Sequence, residues 1–365
     1  MRRRDLLLGA LLASDLASWP RRPARGASPL VLGAWRVPGE GDHAGAFAPG
    51  NGGVPLDLRL TARAHGFAAH PARPLVVVFG RRPGWEALVA DLATGTLRQG
   101  FAPPEDRHFN GHGLFAPDGR LLYATETRVA DGAGLIGVYD AADGFRRVAE
   151  FATGGRDPHD MRLAPGGAAL VVANGGILTH PDAPRANLDP AGMDPSLVHL
   201  DPRDGRVLST ARFAPAMNRL SIRHLTPVPG GTAVAMQFEG DEAEAVPLLA
   251  VQRGEGALRP LALPETLRAA CRNYIGSVAT DSAGAVLAAT SPRGGVALFW
   301  DLAAGRALGS VPLGDVCGVA PAGAPGRFIL ASGHGALLEA DARSGATRPL
   351  PGPRGAWDNH LLRVG

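Results

Sequence analysis

Residues 157–173 read Asp157-Pro158-His159-Asp160-Met161-Arg162-Leu163, then Ala164-Pro165-Gly166-Gly167, then Ala168-Ala169-Leu170-Val171-Val172-Ala173. A short strand enters a Pro/Gly turn and a second, apolar strand leaves it, which is the pattern of a tight hairpin. The same order recurs at His112-Gly113-Leu114-Phe115-Ala116-Pro117-Asp118-Gly119, followed by an apolar run to residue 125. It recurs again at His224-Leu225-Thr226-Pro227-Val228-Pro229-Gly230-Gly231, followed by 232–236. An earlier copy leads from His65 through Pro71 into 75–79, and more degenerate copies start at Ile275 and at Cys317. Self-similarity of this kind is the mark of a repeat architecture.

A second marker follows in the same phase: an apolar strand ending in Asp, three residues, then Gly. It stands at Asp91/Gly95, Asp140/Gly144, Asp201/Gly205, Asp301/Gly305 and Asp341/Gly345, with Gln252/Gly256 as an imperfect copy. A carboxylate caps its own turn and Gly supplies the positive φ, so the marker predicts a hairpin between two later strands of each unit. Units of four short strands at this spacing match propeller blades, and the absence of a 3.6-residue period excludes helical solenoids. The ends complete the count. Residues 359–364 read as a first strand with no blade after it, while 30–36, 44–48 and 56–61 read as later strands with no first strand before them. Joining them predicts an all-β, seven-bladed β-propeller closed by its C-terminal strand, with a six-bladed ring as the alternative.

Composition agrees: 45% hydrophobic residues supply a core, and 50 Gly with 32 Pro in 365 residues punctuate many short strands. The formal charge is only +3, and all 37 basic residues are Arg, so the pI near 9.3 reflects residue choice. No basic stripe with interleaved aromatics is present, and no nucleic-acid partner is expected.

The first residues have another character. Arg2, Arg3 and Arg4 precede Asp5 and the short apolar run 6–13, which Asp15 interrupts. The run is too short to span a bilayer, and Arg3-Arg4-Asp5-Leu6-Leu7 resembles a twin-arginine export signal. We therefore expect a signal peptide over residues 1–27, a single propeller domain over 28–365, a periplasmic location, no membrane span after signal removal, and a monomer. Cys271 and Cys317 fall in consecutive repeats, where an oxidising compartment permits a bridge; two separate buried thiols fit equally well.

First strands line a propeller's central channel, so their equivalent positions converge. Here those positions hold His65, His112, His159, His224 and His360, with Cys317 in a sixth repeat and roughly Gly276 in the last. Neutral imidazole suits iron, copper, zinc and nickel, and we expect a transition metal held by about three of the five together with water or an anion. Propellers of the WD type also carry one His per blade, there only to stitch strands together. Their His lies in the connection ahead of the strand, whereas here it precedes the turn Pro by five or six positions, inside the strand. Near the ring stand Asn110, Asp157, Arg223, Asn273, Asp358 and Asn359, of which Asp157 or Asp358 is suited to orient an imidazole. Loops returning to the same face are expected to bring Arg81, Arg82, Glu126, Asn174, Gln237, Glu239, Arg293 and His334. The interruption at 177–195 reads as an irregular loop, either a cover for the mouth or, by a small margin, decoration.

The arginine pair, the His112-to-Gly119 and Asp157-to-Leu163 blocks, Asn174-Gly175-Gly176-Ile177 and the closing Trp357-Asp358-Asn359-His360 resemble an uncharacterised family of twin-arginine-exported propellers. Genes of that family lie beside imelysin-like iron-uptake proteins and di-haem peroxidase-like proteins. The resemblance implies the propeller fold, periplasmic iron or copper handling, and those proteins as partners; it carries no catalytic residues. No covalent-haem motif, nucleophile elbow, phosphate loop or His-Glu-x-x-His occurs. Two other classes stay open: a metal-dependent hydrolase or oxidoreductase with Glu126 or Glu239 as proton carrier, and a non-catalytic interaction scaffold with structural histidines.

Overall fold

The computed structural model describes residues 29–365, and the signal expected at 1–27 lies outside the described residues. The chain forms seven antiparallel sheets. Blade 1 takes its three outer strands from the N-terminal side, Leu30–Val37, Gly41–Phe47 and Leu56–Leu60, and its innermost strand from the other end of the chain as Ala356–Trp357 and Leu362–Val364. Blades 2 to 7 are consecutive four-stranded sheets whose innermost strands are Ala64–Ala69, Arg107–Phe115, Pro158–Leu163, Leu220–Val228, Ser277–Thr280 and Val316–Pro321. One α-helix, Glu265–Ala270, interrupts this pattern among the described residues.

Second strands are sandwiched between neighbouring blades and are buried on both faces, as in Leu75–Gly80, which explains their unbroken apolar runs. Outermost strands such as Thr96–Phe101 face solvent and lack that run. The Asp-to-Gly marker does what its chemistry predicts. The Asp91, Asp201 and Asp341 carboxylates accept the backbone N–H two residues on at 2.8, 3.0 and 3.0 Å, and the matching glycines sit at φ +68°, +74° and +71°.

Seven apolar clusters fill the seven gaps between adjacent sheets. The one between blades 7 and 1 joins Ile329, Ala331 and Leu337 to Val31, Trp35, Phe47, Trp357 and Leu361. This cluster closes the ring and excludes the six-bladed alternative. Cys271 and Cys317 are free and buried, so the bridge does not form.

Candidate functional site

Interruptions of the innermost strands aim side chains at the axis. In blade 2, Ala64 pairs with Gly80 and Phe67 with Val78, so His65 and Gly66 together oppose Phe79. In blade 4, Pro158 pairs with Asn174 and Asp160 with Ala173, which leaves His159 unpaired. Blade 3 loops out Asn110, Gly111 and His112 between Phe109 and Gly113. In blade 1, residues 358–361 fall between Trp357, opposite Trp35, and Leu362, opposite Leu32. In blade 5 the extra residue is Arg223, and His224 follows it. A bulge kinks the strand and turns its side chain out of the sheet, here into the channel. Gly111 makes the crowding possible: it has φ +102°, and a Cβ there would stand 2.6 Å from the His65 ring.

The five imidazoles therefore meet. Ring centroids are 4.6 Å apart for His65 and His360, 4.5 Å for His360 and His224, 4.8 Å for His224 and His159, and 4.9 Å for His65 and His112. Two triads, His65/His112/His360 and His112/His159/His224, each offer three ring nitrogens within 4.8 Å of one another, and His112 belongs to both. Each ring keeps one sealed nitrogen without a hydrogen-bond partner: Nδ1 of His65, His159 and His224, and Nε2 of His112 and His360. Burial, then repulsion from neighbouring imidazoles and guanidiniums, drives the pKa of His65, His112, His224 and His360 well below the usual value. Burial and Arg223 lower His159 to about 4 against the opposing pull of Asp157. All five are neutral at pH 7, the form that binds metals.

Cys317 leaves the ring. It is the bulge residue of blade 7, but its thiol turns back to the carbonyls of Trp357 and Asp358 at 3.3 and 3.4 Å, and burial pushes its pKa up to about 12. In blade 6 the innermost strand has no bulge, and Ser277 Oγ lies 3.3 Å from His360 Nδ1.

The imidazoles separate two cavities. The upper one, about 540 Å³, reaches His65, His159 and His224; the lower one, about 510 Å³, reaches His112, His224 and His360. Of the loop residues expected at the mouth, Arg81, Arg82, Gln237, Glu239 and Arg293 line the upper cavity with Asn110, Arg223 and Asn359. Glu126, Asn174 and His334 do not line it. Glu126 lies inside the strand Leu121–Arg128, where Tyr139 donates to it at 2.5 Å and Arg147 at 2.9 Å. The Asn174 amide is spent on Thr153 O and Ser196 Oγ, and His334 sits in the hairpin of blade 7 beside Gly314. The 177–195 interruption supplies Ile177, Thr179, Pro184, Arg185 and Asn187 to the cavity wall, so it covers the mouth and is not mere decoration. Its residues carry no repeat register, which is why no strand pattern pointed to them.

The family model described as "Protein of unknown function (DUF1513)" matches residues 58–364. The chain belongs to this family. Among solved structures, Kuenenia stuttgartiensis hydrazine synthase is similar with a TM-score of 0.59 over 88% of this chain and 90% of that chain, at 14% identity, a likeness that shows the fold alone. Among curated proteins none matches.

The carboxylates around this DUF1513 ring have divided roles. Asp358 is held by Arg63 at 2.7 Å and Arg81 at 2.9 Å, so it does not serve an imidazole. Burial, the largest single influence, would raise Asp157, but Arg82, His159 and Arg223 together outweigh it and hold the carboxyl far below the usual range. Its nearest imidazole nitrogen, His159 Nδ1, is 3.9 Å away. The carboxylate nearest to a ring of the cluster is Asp160, 3.4 Å from His112 Nδ1, itself fixed by the Leu225 N–H and by Arg162. Reading the sequence did not single out Asp160, although it follows His159 directly.

Glu126 gives this family member a pH dependence away from the ring. Burial raises its pKa to about 7, against the lowering by Arg147 and Tyr139. Because the folded value lies above the unfolded one, the folded state holds an extra proton between pH 4.5 and 7. Stability from this group is therefore full below that window and is lost as pH rises through it, by an order of about 3 kcal/mol. Urea unfolding of the wild type and of Glu126→Gln at pH 5 and pH 8 isolates the group: the stability difference should shift towards the variant by that amount, and an unchanged difference refutes the assignment.

Proposed function

We propose that this protein is an exported, periplasmic metal-binding propeller whose imidazole cluster holds one transition metal ion, iron or copper, in the service of metal homeostasis. The observation that carries the reading is five neutral imidazoles, four of them buried and His360 half-buried, each with a sealed nitrogen lacking a partner, arranged as two triads. A buried polar atom without a partner is costly, and five around one axis call for a common occupant. The fit is close. Metal–nitrogen bonds of about 2.0–2.1 Å require the rings of a triad to close in by less than about 1 Å each, with water or an anion completing the sphere. An all-nitrogen donor set without thiolate suits iron and copper alike. Asp160 supports His112 from behind, as carboxylates commonly do for ligating imidazoles. Handling rather than turnover is the better-supported role, because Glu126, one of the two candidate proton carriers, is buried away from the cavity. The resemblance to propellers found near imelysin-like and di-haem peroxidase-like proteins suggests those as the partners for delivery.

Elemental analysis of the full chain, purified after native export and again after reconstitution with iron, copper, zinc and nickel, tests this. One equivalent of ion per chain, removable by chelation, is expected. Less than a tenth of an equivalent of every ion ends the reading. Export is tested separately by changing Arg3→Lys and Arg4→Lys together, which should leave the chain in the cytoplasm.

A further inference from the structure

The upper cavity carries an excess of positive charge directly above the imidazoles. Five guanidiniums line it, from Arg81, Arg82, Arg185, Arg223 and Arg293, against the single carboxylate of Glu239. The acids behind them are shared. Asp157 serves Arg82 and, at 3.9 Å, Arg223; Asp358 serves both Arg63 and Arg81. Each therefore offsets only one of two cations. Arg185, on the covering loop, makes no ion pair among the described residues and stands exposed at the rim.

Arg223 is the decisive group. It is the bulge residue of blade 5, with 8% of its surface exposed, and it lines the cavity wall together with His159 and His224. Its one hydrogen bond is a long 3.4 Å contact to Ser221 Oγ, and Asp157 Oδ2, its nearest acid oxygen, has no hydrogen-bond partner either. A guanidinium has five N–H donors, and a buried cation this short of protein acceptors offers the rest to an anion in the cavity. The remaining wall is polar, with Asn110, Asn187, Asn359, Gln237 and Tyr274, so the occupant is hydrogen-bonded rather than apolar.

We infer that the upper cavity is a binding site for a small multivalent oxygen-donor anion, a polycarboxylate or a phosphate, held by Arg223 and the rim arginines. Only its further role, as the co-ligand with which the ion enters, rests on the metal reading. A bare dication meets like charge at this mouth, whereas an anionic complex is drawn in and sets its oxygens beside the open coordination positions. The lower cavity offers no acidic alternative, since Asp160 there is paired with Arg162 and Arg363 also lines it.

Equilibrium dialysis and calorimetry on the full chain without metal, with citrate in one arm and inorganic phosphate in the other, test the site. One equivalent of at least one probe should bind, more weakly as salt rises. Whichever arm binds names the class. Arg223→Gln should weaken that binding tenfold or more, and Arg185→Glu, at an exposed position where folding is not at stake, threefold or more. Arg363→Gln, in the lower cavity and outside both triads, should leave it within twofold. No binding of either probe at millimolar concentration overturns the inference, and so does binding that ignores both arginine substitutions. A chain that binds metal but neither anion loses this inference alone; one that binds the anion but no metal loses the metal site alone.

Discussion

His112→Ala should abolish binding of the proposed ion, while His65→Ala and His159→Ala each leave it bound with reduced affinity. His112 is the ring common to both triads, so its removal leaves no set of three converging nitrogens, whereas loss of His65 or His159 spares the opposite triad. The expected cost at His112 exceeds the 10- to 100-fold typical of outer-sphere partners, and Asp160→Asn, which acts through His112, should fall within that span. The fold has little stake in the ring. Thr125 Oγ is bonded to the His112 carbonyl and not to its imidazole, and Asp160 keeps Arg162 and the Leu225 N–H when the ring is gone. Competition titration of the four single variants against a chelator, alongside their urea midpoints, gives the answer. Equal affinities for His112→Ala and wild type would remove the cluster as the site.

The blade count and the convergence of the histidines were legible because each rests on a local rule repeated many times. An Asp capping its own turn and a Gly at positive φ have one conformational reading, and five copies fix the phase of the units around them. What stayed hidden lies where one residue more or less changes the face. Alternation along a strand says which residues share a side, but a bulge shifts every later side chain by one, and its position is not written in the apolar pattern. Cys317 shows the consequence: it occupies a bulge like His159, yet its small thiol turns back to backbone carbonyls where an imidazole reaches the axis. Glu126 shows another. Blade 3 spends three residues on its bulge and its second strand runs to Arg128, which draws into the sheet a residue expected in the loop.

Trp357→Ala is expected to cost about 3–5 kcal/mol, the range for emptying a buried aromatic site, because it opens the seam on which the ring depends. Six of the seven gaps between blades lie between sheets consecutive in the chain; the seventh joins the last sheet to one assembled from both ends. At that gap the C-terminal strand is thin, two residues at Ala356–Trp357 and three at Leu362–Val364, so its hydrogen bonds to Leu30–Val37 hold it weakly. Side-chain packing carries the join. Trp357 is 2% exposed, stands opposite Trp35 with ring centroids 5.6 Å apart and against Phe47 at 5.3 Å, and contributes no hydrogen bond from its indole nitrogen. The loss is thus one of contact area and cavity formation, with no polar partner orphaned by the change. The same strand carries His360 to the axis, so a loosened seam should also lower the affinity for the proposed ion, which a change confined to the periphery does not do. Trp85→Ala is the control: that indole is 51% exposed, and its removal should alter stability by less than about 0.5 kcal/mol. Urea unfolding monitored by far-ultraviolet dichroism compares the two, and a Trp357→Ala midpoint indistinguishable from that of Trp85→Ala would mean that the ring is held shut by something other than its C-terminal strand.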